Sequence, residues 1–210
     1  MMKYFWLFAL VLLGIIAIVL FSYQSKKVEK LPILGNKDVL ENGDTVYHFI
    51  PDFSFLDQDS NIITNQTFAG KVYVVDFFFI HCPSICPTVT KNMLRIYEHF
   101  ENNPKVLLLA HSIDTKNDSI PALKAYAEKL NVKTEKWHFV TGDHDHIYEL
   151  ADDYFITAIV DDNVPGGFDH SGRLILVDEN RHVRSFCDGT NVESVNKFMA
   201  DIETLLNENR

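Results

Sequence analysis

The chain has 210 residues and a formal net charge of −10, from 29 acidic and 19 basic side chains. That surplus of carboxylates argues against a nucleic-acid binder, whose affinity would rest on cationic contacts to phosphate; it suits solubility or docking on a basic partner. Three cysteines are too few for a disulfide framework at this length. The amino-terminal part differs from the rest. From Tyr4 to Ser25 no side chain is charged, and 22 residues at about 1.5 Å each would span roughly 33 Å as a helix, enough for a bilayer core. Tyr4, Trp6 and Tyr23 lie near its ends, where interfacial aromatics belong. No small-x-small cleavage site is evident between Ile18 and Ser25, and no cysteine there could carry a lipid. Residues 1–25 therefore read as a retained single transmembrane helix. Residues 26–44, with "KKVEK" followed by Pro32, Gly35 and Gly43, read as a tether, and 45–210 as one domain with a sizeable core.

Within that domain "FSFLDQDSNIIT" reads as two short strands around a polar turn, an N-terminal β-hairpin. "KVYVVDFFFI" is a continuous apolar run, the mark of a buried central strand. Val89, Met93, Ile96, Tyr97 and Phe100 then recur at helical spacing. "KVLLLAHSI" is a second buried strand; Asp118 is positioned to cap the next helix, with Pro121 in its first turn. "KWHFVTG" is a third strand, followed by a short helix lined by Ile147, Leu150, Ala151 and Tyr154. Next, "GRLILVDENRHVRSF" reads as strand, turn, strand, and an amphipathic helix from Val192 to Leu205 ends the chain. Alternating β and α predicts an α/β fold with a largely parallel sheet. Sites in such sheets form beyond the carboxyl ends of strands.

One such end carries "HCPSICP", with Cys82 and Cys86 four residues apart. Cys82 in the loop and Cys86 in the first helical turn would put both sulfurs on one face. Helix-terminal amides favour thiolate over thiol. Helical neighbours at that spacing are about 5 to 6 Å apart at Cβ, whereas a relaxed disulfide wants roughly 3.5 to 4.5 Å. A bridge here would form after local adjustment and reduce readily. The pair thus reads as a reversible redox couple or as half of a soft-metal site, and two buried inert cysteines remain the plain alternative. Two sulfurs and an imidazole suit Cu(I) or Cu(II), and could also hold zinc; spacing alone does not choose among nine histidines.

The stretch "DFFFIHCPSICPTVTKNM" resembles the signature of the Sco/SenC family of copper-binding, thioredoxin-fold assembly factors, and the resemblance covers nearly all of residues 50–206. "HSIDTKNDSIPALKAYAEKL", "WHFVTGD" and "DHSGRLILVDENRHV" resemble further segments of that family. It implies a thioredoxin-like fold and a copper site made of Cys82, Cys86 and His170, with Cys82 and Cys86 also the redox-active pair. His170 follows a Gly-containing loop and precedes the hairpin, a junction that lies beside the cysteine helix in such folds. Asp169 could add a weak ligand, orient an imidazole or simply be solvated. The implied function is a membrane-tethered copper chaperone that delivers copper to the dinuclear copper site of a cytochrome c oxidase subunit. The alternative is a thiol-disulfide oxidoreductase that reduces cysteines of that subunit or of another extracytoplasmic target. Either implies a thiol reductant as partner, and the first a copper donor protein. Counting Lys3 against Lys26, Lys27 and Lys30 would place the domain in the cytoplasm; copper and thiol chemistry favours the periplasmic or extracytoplasmic side of the cytoplasmic membrane. A peroxidase reading is weaker, because no supporting arginine is evident near Cys82.

Seven further positions carry expectations. Asp76, six residues before Cys82, either accepts protons near the dithiol, as a buried aspartate does in thioredoxins, or faces solvent at a strand edge. His81 should point away from the pair, since strand neighbours alternate. His144 and His146 either form a secondary metal patch or are left exposed, with Asp143 capping a helix and Asp145 favouring its first turn. Cys187 stands where the resembling proteins often have an aromatic residue, and is either packed in the hairpin or a reactive odd thiol.

Overall fold

Two runs of seven consecutive buried residues, Val72–Phe78 (β5) and Val106–Ser112 (β6), form the centre of the sheet. Strands apolar on both faces must be covered on both, and helices lie above and below them. The computed structural model describes residues 12–15, 30–156, 158–160 and 168–208, with the backbone alone for 158–160 and 168–170. Among these, a seven-stranded sheet has the order β11-β10-β5-β6-β7-β3-β4. Its other members are β3 (Ser54–Asp57), β4 (Ile62–Thr64), β7 (Trp137–Thr141), β10 (Arg173–Val177) and β11 (Val183–Asp188). β5, β6 and β7 are parallel. β10 runs antiparallel to β5 and carries β11 outside it. The expected N-terminal hairpin is β3–β4, joined antiparallel to β7 at the other side. This is the α/β, thioredoxin-like arrangement read from the sequence.

The helices are α1 (Cys86–Phe100), α2 (Ile120–Leu130), α3 (His144–Asp153) and α4 (Val192–Glu208). Thr90 Oγ1 and Tyr126 OH, 3.0 Å apart, tie α1 to α2, and Arg95 donates to Asn196 Oδ1 of α4 at 2.6 Å. Phe78 stacks on Tyr126, so that side of β5 faces α1 and α2. Asp76, two residues earlier, shares that side by strand alternation. Phe77 points the other way, onto His111 and Tyr154.

The outer edge of β11 is covered by the start of the domain. The compact unit begins at Leu31, and Leu34 N–H donates to Val183 O at 2.8 Å. Buried Arg184 donates to Leu31 O, Pro32 O, Asp178 and Glu208, tying the entering chain, the hairpin and α4 together. Residues presented by the sequence as tether also include β1 (Lys37–Val39), which pairs with β2 (Thr45–Tyr47). Both strands are wholly exposed, so they carry no alternation to read.

No helix among the described residues is long and apolar enough to cross a membrane. The anchor expected over 1–25 lies outside the described residues except at 12–15, which are helical.

Candidate metal centre and dithiol site

β5 ends at Phe78 and α1 begins at Cys86, so the cysteine motif occupies the connection. Cys86 stands at the first helical position, as expected. Cys82 does not belong to the helix; its N–H bonds Phe79 O at 3.3 Å within the turn. The two sulfurs are therefore gathered by a turn rather than by helical periodicity. Ile85 is the N-cap without a side-chain cap, and the prolines sit outside the helical ladder, with Pro87 in its first turn.

Both cysteines are buried thiols, yet they differ. Burial pushes the Cys82 thiol up, but the Ser84 hydroxyl, with Oγ 3.5 Å from Sγ, and the amides of Cys86 and Ser84 outweigh it and hold it below the ordinary value. Burial drives Cys86 far up, and the charges of Cys82 and Asp76 add to the rise against a hydrogen bond from the Phe79 backbone. Cys82 is thus the thiol that ionises more easily, and Cys86 the one that holds its proton more tightly. Cys187 is buried in β11, across from Leu174, with its thiol pushed up to about 12 by burial and the Asp188 charge. It is packed in the hairpin, the quieter of its two expected states.

Asp76 lies beneath this site in β5, 3 % exposed. Burial raises its pKa to about 7, and its Oδ1 has no hydrogen-bond partner among the described residues. The solvent-facing alternative for Asp76 does not occur. Asp118 corrects another expectation. The N-cap of α2 is Ser119, not Asp118. Asp118 is buried and accepts from Ser112 Oγ at 2.6 Å and from Ile80 N–H at 3.1 Å, bracing the turn that holds the cysteines. A bond between residues 38 apart leaves no local pattern; the only hint was an aspartate one position ahead of the N-cap.

The third donor expected from sequence, His170, ends β9 (Phe168–His170), which pairs with β8 (Ala158–Val160) in register Ala158↔His170. Two residues on, Gly172 has φ +60° and meets the start of α1: a Cβ built there would lie 2.8 Å from Ile85 Cδ1 and 3.4 Å from Val89 Cγ2. Two residues reach at most about 7 Å, so the backbone of His170 is close to the turn that carries the thiols. The side chains of His170 and Asp169 lie outside the described residues. Among the described residues no three His, Cys, Asp or Glu side chains form a metal-holding group.

The remaining histidines do other things. His81 is exposed while Cys82 is buried. Asp143 caps α3 through His146 N–H at 2.9 Å, with Asp145 in the first turn. His144 and His146 are half-buried rather than exposed, His144 stacked on Tyr148 and His146 against Phe55.

The SCO1/SenC family model matches residues 42–207. The SCO1 protein homolog of Bacillus subtilis (strain 168) is 27% identical over 166 residues, covering 77% of this chain and 84% of its own. The solved structure of BsSco, described as a member of the Sco family of cytochrome c oxidase assembly proteins with a disulfide switch, has a TM-score of 0.66 at 24% identity, covering 84% of this chain and 98% of that one. Arabidopsis thaliana ScoI, solved with copper bound, has a TM-score of 0.63 at 20% identity, covering 76% and 99%.

Proposed function

The chain belongs to the SCO1/SenC family, and on that premise we propose that it is a copper chaperone that takes up one copper ion on Cys82, Cys86 and His170 and passes it to a copper-accepting subunit of cytochrome c oxidase during assembly. Copper is the cargo. Two thiolates and an imidazole are soft and borderline donors suited to Cu(I), and they also support a Cu(II)–thiolate centre. Transfer to another thiolate-rich site replaces one soft donor by another and needs no large driving force. Cys82 ionises more easily than Cys86, and the proton on Cys86 must leave as copper enters. The buried carboxyl of Asp76 lies on that side of β5. The observation that supports the reading is the packing of Gly172, two residues after His170, on Ile85 and Val89 at the start of α1.

The unequal thiols favour a second reading, thiol–disulfide exchange on the same residues. The Cys82 thiolate attacks a target disulfide and one target sulfur leaves as thiolate. Cys86, losing its proton, then attacks Cys82 and releases the second. The target gains two electrons from the chain and two protons, one from Cys86 and one from solvent; the chain is left with a Cys82–Cys86 disulfide, and a thiol reductant restores it. The retained anchor over 1–25 and the extracytoplasmic side of the cytoplasmic membrane belong to the proposal, on the strength of the uncharged run from Tyr4 to Ser25 and the need for both copper and thiol exchange.

The test is a copper titration of the reduced full chain with sulfur and nitrogen ligation read by X-ray absorption. One copper per chain is expected, with His170→Ala losing it at least tenfold faster to a competing chelator and Cys187→Ser behaving as the parent. Parent-like retention by His170→Ala removes that residue from the site. Absence of uptake by the reduced parent ends the chaperone reading.

A further inference from the structure

A cleft of about 310 Å³ opens beside Cys82 and Cys86, between α1 and α2. Its α1 wall is Cys86, Thr90, Lys91 and Leu94, positions that recur along one helical face. Its α2 wall is Tyr126, Lys129 and Leu130. The floor is closed by the Thr90–Tyr126 bond, and Leu94 and Leu130 are only partly covered. Larger hollows around His99 and around Asp52 include neither sulfur.

Lys91 and Lys129 line the cleft and are exposed, and neither is in an ion pair with any described residue. Leu94 and Leu130 also line a neighbouring hollow with Glu98, Glu101 and Glu128, where Lys133 is paired with Glu101 at 3.1 Å. In a chain of net charge −10, these two lysines flank an apolar cleft that reaches the thiols.

We infer that this cleft is the docking surface for the partner polypeptide, and that its occupant is a segment presenting an apolar side chain flanked by carboxylates close to its own exchanging sulfurs. The inference rests on the chaperone or thiol-exchange reading for its purpose, and on the cleft alone for its chemistry. The apolar side chain fills the space between Leu94 and Leu130; the carboxylates meet Lys91 and Lys129. The sulfurs of both partners then approach without a long search, because steering by opposite charge raises encounter rates.

The probes are two dye-labelled peptides without cysteine. One carries Leu and Met between Glu residues, and the other has Lys in place of each Glu. Binding to the copper-free, reduced full chain is followed by fluorescence anisotropy at about 0.02 M and about 0.5 M salt. The acidic peptide should bind about tenfold more tightly at low salt, and high salt should erase most of the difference. K91E/K129E should invert the preference, while K105E/K197E, the same charge change on exposed lysines elsewhere, should leave it intact. Equal binding of both peptides overturns the inference, as does an equal effect of the two double variants. Self-association of the parent that K91E/K129E abolishes, without a peptide preference, makes the occupant a second copy and also overturns it. Copper uptake is read separately: a chain that prefers the acidic peptide but takes no copper sinks the chaperone reading and keeps the cleft, and the reverse sinks the cleft alone.

Discussion

Cys82 and Cys86 are four residues apart in one turn, but their surroundings set them to different tasks. Hydrogen bonds to Cys82 from the Ser84 hydroxyl and from the amides of Ser84 and Cys86 favour its charged form. Cys86 is deeper in low dielectric with the Asp76 carboxyl on its side, and both disfavour charge. A thiolate is the nucleophile and a thiol is not, so brief treatment with iodoacetamide near neutral pH should alkylate Cys82 first, and Cys86 and Cys187 much more slowly. Peptide mapping by mass spectrometry reads that order directly. Ser84→Ala removes one hydrogen bond, worth about 1 kcal/mol, and should slow labelling of Cys82 by roughly fivefold at a pH below its pKa. First labelling at Cys86, or no response to Ser84→Ala, would show that the hydroxyl does not control the pair.

Among the elements, the β9–β10 junction packs closely on the start of α1. Gly172 is there for two reasons, a left-handed φ and a neighbour too close for a side chain. Gly172→Ala should destabilise the chain by about 1–2 kcal/mol from the left-handed backbone alone, with a further cost for displacing Ile85. Ile85→Val deletes Cδ1, the atom in the way, so the double variant should recover the second part and not the first. Urea unfolding of the four chains measures the coupling, expected at about 0.5–1 kcal/mol; full additivity would mean that the contact is slack. That contact was invisible in the sequence because the partners are 87 positions apart, whereas β5, β6, α1 and the β10–β11 hairpin were legible from local apolar runs and spacing. The same division runs through the rest of the molecule. The thiol pair could be read from its motif, and its inequality could not, because it comes from burial and from Ser84. β8 and β9, three residues each, are too short for a period to appear. Asp118 was misread as a cap because its true partner, the Ile80 amide, is on another loop.

At the scale of the whole molecule, burial acts in opposite directions on two core groups, Asp76 and His111. Asp76 is raised by burial from 3.8 to about 7. Its native form holds a proton that the unfolded chain releases, so its contribution to stability is present at low pH and is lost as pH rises from about 4 through about 7. His111 is lowered from 6.5 to about 3, by burial and then by His146. Its ring lies 4.8 Å from Phe77 and edge-on to Phe55, and neither nitrogen has a partner among the described residues. Here the unfolded chain takes up a proton that the native state refuses, so stability is present above about 6.5 and is lost as pH falls towards about 3. Each slope is about 1.4 kcal/mol per pH unit at full strength, and the windows overlap between about 4 and 6.5. Over that range the two should nearly cancel in the parent, and single variants should expose them one at a time. Asp76→Asn keeps the shape and removes the titration; relative to the copper-free parent it should gain stability steadily from pH 4 to pH 7. His111→Phe keeps an aromatic ring among Phe53, Phe55 and Phe77, and relative to the parent it should gain stability as pH falls from 6.5. Urea unfolding of copper-free parent and variants across that range would give two difference curves of opposite slope. Flat curves for both would mean that water or a rearranged core satisfies these groups, and that neither proton is coupled to folding.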